Sequence, residues 1–231
     1  MKLIFNIIND NKRLEIIKNK NSKKMKNIYK YLGTLIGAVI VTMSSITSAN
    51  AQGYKAGDVA VDFKLKNIDG KMVSMSDFKE AKGFIVIFTC NHCPYAIAYE
   101  DRIIGLDKKY KPLGYPVIAI NPNDPEVQPQ DSFELMKERA KSKGFTFPYL
   151  IDEGQKVYPV YGAQRTPHVY ILKKEGNKNI VKYVGAIDNN YKNAADADER
   201  YVEKALDSLL KGQDPEVKNT VAIGCTIKTK K

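Results

Sequence analysis

Cys90-Asn91-His92-Cys93-Pro94 is the stretch that decides the fold. It follows the apolar run 84–88, Phe-Ile-Val-Ile-Phe, which is short and rich in β-branched residues, a composition typical of a buried strand. After it, apolar residues spaced three and four apart predict one face of an amphipathic helix: Ala96, Tyr99, Ile103, Leu106 and Tyr110. The two cysteines are therefore predicted to lie where a strand ends and a helix begins.

This position favours thiol chemistry. Unpaired N–H groups and the helix dipole at a helix N-terminus stabilise a thiolate, which is the reactive form of cysteine. Two intervening residues let a single helical turn bring the sulfurs of Cys90 and Cys93 together as a disulfide. Pro94 suits a first helical turn, where its missing N–H costs nothing. A redox pair, a static disulfide and a metal knuckle all remain open at this point.

The N-terminal 51 residues have the pattern of an export signal that follows an extension. Residues 1–24 lack a domain-like pattern, and we interpret them as an over-called or disordered extension. Residues 25–51 contain a short basic segment, a 15-residue uncharged stretch from Leu32 to Ile46 and the small-residue motif Ala49-Asn50-Ala51. This order is typical of a secretory signal peptide, and the apolar run is shorter than a membrane span of about 20 residues. We predict cleavage after Ala51, with an uncleaved anchor as the alternative. The mature protein is then periplasmic or secreted and has no membrane span.

Cleavage would change the charge of the protein. The full chain carries +11, but nine of its 37 Lys and Arg and two of its 26 Asp and Glu precede residue 52, so the mature part carries +4. Such a charge is ordinary for a solvated surface and predicts no nucleic-acid partner. The length of residues 52–228 suits one domain with a sizeable core. Export would place the cysteines in an oxidising compartment, where a disulfide persists or is exchanged.

Strand and helix patterns alternate along the mature part. Val61, Phe63 and Leu65 alternate with polar residues and predict a strand, and Asp69-Gly70 predicts a hairpin turn after it. Further strands are predicted at 116–120 and 147–151, a hairpin over 168–187, a helix after residue 131 and a last helix over about 198–211. This order indicates an α/β domain of three layers with a mixed sheet.

Several charged residues receive local interpretations. Asp131 and Glu134 have the spacing of a capping box at the start of a helix. The charged residues of the helix after Cys93 are interpreted as a solvated face; they include Glu100, Asp101, Arg102 and Asp107.

The order strand, CxxC, helix, strand, helix, then Thr166-Pro167 before a hairpin and a last helix, resembles the thioredoxin fold. The N-terminal hairpin and the strand–helix segment inserted after Cys93 resemble its peroxiredoxin-like redoxin branch. That branch includes the alkyl hydroperoxide reductase/thiol-specific antioxidant family and exported thiol–disulfide oxidoreductases. The stretches 88–95, FTCNHCPY, and 222–228, AIGCTIK, are similar to a peroxiredoxin-like thioredoxin subfamily, and the resemblance covers residues 54–228. It implies an enzyme without a cofactor that acts on a thiol or disulfide protein or a small thiol, together with a redox partner that the sequence does not identify.

Two departures from the family pattern bear on activity. Thioredoxins usually have Trp just before the first cysteine, whereas this chain has Thr89 there and no Trp. Peroxiredoxins carry Thr three and Pro seven residues before the reactive cysteine, whereas Ile87 and Gly83 hold these positions relative to Cys90. Counting from Cys93 gives Cys90 and Val86 instead. A thiol-dependent peroxidase is therefore the alternative function, and a metal-binding or redox-sensing module without turnover is a third.

The resemblance assigns roles to individual residues. Cys90 would be the nucleophile, because the first cysteine of such a motif is usually the exposed one, and Cys93 would resolve the mixed disulfide. His92, if protonated, would stabilise the neighbouring thiolate, with a solvent-facing histidine as the alternative. Pro167 would be the cis-proline that faces the cysteine pair. Thr166 and Arg165 beside it would bind substrate, and Arg165 would hold an anionic group.

Metal binding is the runner-up chemistry for this cluster. Cys90, Cys93, His168 and Cys225 could form a soft site for Cu(I) or Zn. Copper-delivery proteins of this fold usually have three residues between their cysteines rather than two, so we predict no metal ligands. Cys225 lies in the stretch 221–227, an edge strand or tail, and is predicted to take no part in the basic exchange reaction. A second resolving thiol or an intermolecular link is the alternative for it.

Overall fold

Strand β4, Gly83–Phe88, lies at the centre of the sheet and leads into the cysteine pair. In the computed structural model, which describes residues 53–230, all six residues of β4 are buried. A strand covered on both faces is apolar throughout because neither side meets water. It pairs in parallel with β5, Val117–Asn121, and antiparallel with β8, His168–Glu175. The predicted signal peptide and its cleavage site lie outside the described residues.

The main sheet has eight strands in the order β1-β9-β8-β4-β5-β6-β2-β3. Its remaining members are β1 (Val59–Ala60), β2 (Leu65–Asn67), β3 (Met72–Val73), β6 (Tyr149–Ile151) and β9 (Lys178–Gly185). Strands β4, β5 and β6 are parallel, and the outer pairings are antiparallel. A second sheet of two short strands joins β7, Arg165–Thr166, to β10, Cys225–Thr226.

In residues 53–230, four α-helices flank the main sheet: α1 (Pro94–Tyr110), α2 (Phe133–Lys143), α3 (Tyr158–Tyr161) and α4 (Tyr201–Leu210). Helices α1, α2 and α4 pack on the face that presents Ile85 and Ile87. The opposite face presents Phe84, Val86 and Phe88 and is covered by α3 with segments near both ends of the described chain. The three layers and the mixed sheet are as predicted. Among residues 53–230, no helix has the length and apolar character needed to cross a membrane.

Two predicted element boundaries are wrong. The strand predicted over Val61–Leu65 contains only Leu65, because the carboxylate of Asp62 accepts the N–H groups of Met75 and Ser76 and holds this segment as a loop. The last helix begins at Tyr201 rather than near 198. The residues just before it are held against a loop instead, where the N–H of Asn189 donates to the carbonyl of Glu199 at 3.1 Å.

The solvated face predicted for helix α1 is also wrong for most of its charged residues. Glu100 is only 4% exposed and accepts two hydrogen bonds from Arg139 of α2, at 2.6 and 2.8 Å. Asp107 is buried and accepts the N–H of Val117 at 3.1 Å. Arg102 is half-buried and donates to Asp188 at 2.6 Å. Of the four, only Asp101 is exposed. Helical periodicity identifies the apolar face of a helix. It does not identify a charged residue that is buried because another element supplies its partner.

Candidate active site

The register of β4 with β8 places two distant segments together. Phe88 pairs with His168, so the residues just before β8 lie opposite the residues just after β4. Thr166 and Pro167 precede β8, and Cys90 follows β4. The peptide bond between Thr166 and Pro167 is cis, as the resemblance implied. The sheet thus delivers the cysteine pair to the cis-proline, although 76 residues separate Cys90 from Thr166.

Both cysteines contact Thr166. The Cys90 sulfur lies 3.2 Å from the Thr166 hydroxyl, and the Cys93 sulfur lies 3.2 Å from the Thr166 carbonyl oxygen. Cys93 is the N-cap residue of α1, with Pro94 in the first turn. Both are free thiols; Cys90 is 3% exposed and Cys93 is fully buried. Any exposed sulfur surface therefore belongs to the first cysteine of the motif, but it is small.

The surroundings of the pair favour one shared negative charge. The pKa of the Cys93 thiol is lowered to about 4, chiefly because its sulfur accepts a hydrogen bond from the Cys90 thiol, with support from Cys225 and from the N–H of Ala96. The pKa of the Cys90 thiol is raised by that same hydrogen bond, by burial and by the nearby carboxylate of Asp131. The reduced pair therefore carries one proton and one negative charge, which the two sulfurs share through their hydrogen bond.

His92 is turned toward a buried carboxylate. Its Nδ1 lies 2.6 Å from Oδ2 of Asp131, which is fully buried. Asp131 also accepts the backbone N–H groups of Asn91, at 2.7 Å, and His92, at 3.3 Å. The amide of Asn123 donates to the same carboxylate at 2.6 Å. His92 is therefore one half of a His92–Asp131 pair rather than an isolated side chain.

Asp131 is a site residue that the sequence analysis missed. The capping box predicted for it is wrong: Ser132 is the N-cap residue of α2, and the Asp131 carboxylate points to the cysteine loop instead. Cys90, His92 and Asp131 each offer one potential metal-ligand atom, and these three atoms lie within 4.8 Å of one another. The only local signal was the run Asn121-Pro122-Asn123-Asp124 at the end of β5, which predicts a loop but does not identify its role.

Residues 56–183 match the AhpC/TSA family, which is more than half of the chain. The chain belongs to the AhpC/TSA family. It is 29% identical over 122 residues to the thiol-disulfide oxidoreductase ResA of Halalkalibacterium halodurans, a match that covers 53% of this chain and 65% of that protein, just under two thirds of its length. ResA of Bacillus thuringiensis is 26% identical over 67% of this chain and 86% of its own.

A solved structure supports the fold of this AhpC/TSA protein. The crystal structure of an uncharacterized conserved protein from Geobacillus kaustophilus superposes with a TM-score of 0.70 at 37% sequence identity. The superposition covers 76% of this chain and 92% of the Geobacillus protein. Together the comparisons identify a thioredoxin-fold redoxin and an oxidoreductase of the thiol–disulfide class.

Two positions at which peroxiredoxins carry Pro and Thr are filled by core residues in this AhpC/TSA protein. Ile87 is fully buried in the core beneath α1. At Gly83, a Cβ atom would overlap the carbonyl of Leu172 and the ring of Tyr115. Neither position therefore offers a hydroxyl, and Gly83 has no room for a side chain.

The remaining predicted site residues lie at the edge of the cluster. Arg165 is exposed and donates to the hydroxyl of Thr226 at 2.9 Å. His168 accepts the N–H of Gln164 at 3.3 Å and packs on Tyr170, with its pKa lowered to about 4 by burial. His168 is not in the donor cluster of Cys90, His92 and Asp131, so it lies apart from the metal group that the sequence suggested.

Cys225 lies at the active site. Its register partner is Thr166, and its backbone N–H donates to the Cys93 sulfur at 3.3 Å. The short strand that contains it extends the site rather than the main sheet. The prediction of an edge strand or tail is thus refined: β10 is an edge strand of the small sheet that borders the cysteines.

Proposed function

We propose that this protein is an exported thiol–disulfide oxidoreductase in which Cys90 attacks the substrate disulfide and Cys93 resolves the mixed disulfide. The observation that carries this assignment is the asymmetry of the pair. Cys93 is fully buried, with its sulfur near the Thr166 carbonyl and the Cys225 N–H, whereas Cys90 keeps an exposed fraction of 3%. Of the two cysteines, Cys90 is therefore the one that attacks the substrate, and Cys93 is the one that resolves the mixed disulfide.

The shared proton supplies the first step. As Cys90 attacks a substrate disulfide, its proton passes to the Cys93 thiolate, and one substrate thiolate leaves. Cys93 then gives that proton to the departing thiolate and becomes a thiolate again. It attacks the Cys90 sulfur, the second substrate thiolate leaves and takes a proton from water, and the Cys90–Cys93 disulfide remains. The substrate gains two electrons, and the protein loses two.

Substrate binding is assigned to the strand at the cis-proline. Thr166 already uses its carbonyl and hydroxyl on the cysteines, and Pro167 follows it. Arg165 is exposed beside them, and its charge, like that of Lys228, opposes the rise in the pKa of the Cys225 thiol. We assign Arg165 to an acidic group of a peptide or small thiol.

Reduction of a peptide disulfide or of insulin by the wild-type protein, with Cys90→Ser and Cys93→Ser variants in parallel, tests the assignment. We expect Cys90→Ser to abolish turnover and Cys93→Ser to accumulate a mixed disulfide on Cys90, detected as added mass. Accumulation on Cys93 in the Cys90→Ser variant at the wild-type rate would reverse the roles. Consumption of a hydroperoxide in place of disulfide exchange would replace this function with the peroxidase alternative.

Export is tested separately. The basic segment, apolar stretch and Ala49-Asn50-Ala51 motif support cleavage before Gln52. Intact-mass analysis of the cell-envelope or secreted fraction should show a chain that begins at Gln52. Recovery only from the cytosol, with residues 1–51 still attached, would contradict export.

A further inference from the structure

Cys225 is held against Cys93 by several independent contacts. Its N–H lies 3.3 Å from the Cys93 sulfur, and its side chain packs against the cluster of Cys90, Cys93 and Ala96. With an N–Cα bond of about 1.46 Å, the Cα of Cys225 is no more than about 4.8 Å from that sulfur. Next to it, Gly224 is so close to Thr166 that a Cβ atom would overlap the Thr166 carbonyl. The close approach therefore depends on a glycine at this position.

The segment after Cys225 is also held in place, by burial of one side chain and by backbone hydrogen bonds. Ile227 is buried in the core beneath α3. The carbonyl of Lys228 accepts the N–H of Asp124 at 3.0 Å and the side-chain amide of Gln155 at 2.9 Å. Its N–H donates to Asn123 at 2.8 Å, and Asn123 in turn donates to Asp131. The C-terminal segment is thus built into the same hydrogen-bond network as the cysteine loop.

We propose that Cys225 is a third redox thiol, which takes the disulfide over from Cys90 and presents it to an external dithiol as a Cys93–Cys225 bond. This proposal rests on the exchange activity proposed for Cys90 and Cys93. Cys225 is half-buried, whereas both other cysteines are buried. A reductant that is too large to reach the Cys90–Cys93 disulfide would reach Cys225.

The transfer is balanced in atoms and electrons. The Cys225 thiolate attacks the Cys93 sulfur, the Cys90–Cys93 bond breaks, and Cys90 leaves with the electron pair and takes the proton that Cys225 released. A thiolate of the external dithiol then attacks Cys225, the Cys93–Cys225 bond breaks, and Cys93 leaves as a thiolate. The second thiol of the reductant attacks the reductant sulfur bound to Cys225, Cys225 leaves with the electron pair and takes that thiol's proton, and the reductant ends as a disulfide. Low-pKa thiols leave fastest in such exchanges, and the pKa of Cys93 is lowered to about 4.

The electrostatics favour this order of events. The pKa of Cys225 is raised to about 11 by burial and by the neighbouring Cys93, and Lys228 and Arg165 oppose this rise. Once Cys93 is bound to Cys90 in a disulfide, it carries no charge, and its contribution to the rise disappears. Cys225 therefore becomes a better nucleophile only after the first disulfide has formed.

Peptide mapping of the oxidised protein tests the proposal. Reduced protein is treated with one equivalent of a peptide disulfide, quenched in acid, alkylated with N-ethylmaleimide, and its monomer fraction is digested with trypsin. Cys90 and Cys93 fall together in peptide 83–102, and Cys225 falls in peptide 219–228. We expect the two peptides to be joined by a disulfide, with the alkyl group on Cys90.

The variants make the pairing specific. Oxidised Cys90→Ser should contain at least about tenfold more of the joined peptides than Cys93→Ser, because only the former keeps the proposed pair. Circular dichroism confirms folding, and Cys90→Ala replaces Cys90→Ser if the latter does not fold. An internal disulfide in peptide 83–102 without any joined peptide, joined peptides found only in dimers, or equal yields in both variants would overturn the relay alone. Failure of the wild type to be oxidised by the peptide disulfide would overturn the proposed function with it.

Discussion

Replacement of His92 by Gln tests whether the His92–Asp131 pair controls the cysteines. Gln can still donate to Asp131 but cannot carry a positive charge. The Asp131 carboxylate, which raises the pKa of Cys90, would then act without a compensating cation. The thiolate of the reduced pair should be less stable, the cysteine pKa values should rise, and the reduction potential should become more negative.

The structure bounds the size of this effect. Donor atoms of Cys90, His92 and Asp131 lie within 4.8 Å of one another. Two unit charges at that distance interact by about 3.5 kcal/mol at an effective dielectric constant of about 20. The His92 side chain is 14% exposed and the negative charge of the reduced pair is shared with Cys93, so an effect of the order of 1–2 kcal/mol remains. This corresponds to a shift of about 20–40 mV.

The assay is redox equilibration of both proteins against glutathione, with thiolate absorbance followed across pH. Because glutamine cannot carry a positive charge, wild type and His92→Gln should differ in both the reduction potential and the cysteine titration. Thermal unfolding serves as the control for folding. Equal reduction potentials and equal cysteine titrations in the two proteins would show that the charge of the His92–Asp131 pair does not affect the sulfurs. The electrostatic account would then be refuted.

Three further substitutions have defined outcomes. Asp131→Asn removes the carboxylate that raises the pKa of Cys90, so the thiolate titration should shift to lower pH, opposite to His92→Gln; an unchanged titration would contradict this. Glu100→Gln breaks a buried ion pair and should lower the free energy of unfolding in urea by about 1–3 kcal/mol. The matched surface variant Glu134→Gln should lower it by less than about 0.5 kcal/mol, and equal losses would contradict the difference in burial. The folded-state pKa of His168, about 4, lies below its ordinary value of 6.5, so the unfolded chain binds more protons between these values. Stability should therefore be complete above about pH 6.5 and fall by up to about 3 kcal/mol toward pH 4, and urea unfolding of His168→Gln should lack this component of the pH dependence.

The position of the cysteine pair could be predicted from the sequence because it depends on local patterns. An apolar run followed by apolar residues spaced three and four apart predicts a strand and then a helix. Cys90 and Cys93 lie at this junction however the remaining segments pack. The order of elements then indicates the thioredoxin fold, and with it the cis-proline at Pro167. Each of these features is encoded within about 20 residues or in the sequence of elements along the chain.

The partners of the cysteines were decided by the tertiary structure. Asp131 is 39 residues from His92, and Cys225 is 132 residues from Cys93. Local spacing described the first as a helix cap and the second as part of an edge strand or tail, because periodicity reports which side of an element is buried but not which element lies against it. The same limit applies to Glu100, whose charge is buried only because Arg139 of another helix meets it. The sequence determines where the thiols are, whereas packing of distant segments determines which groups share their protons and charge.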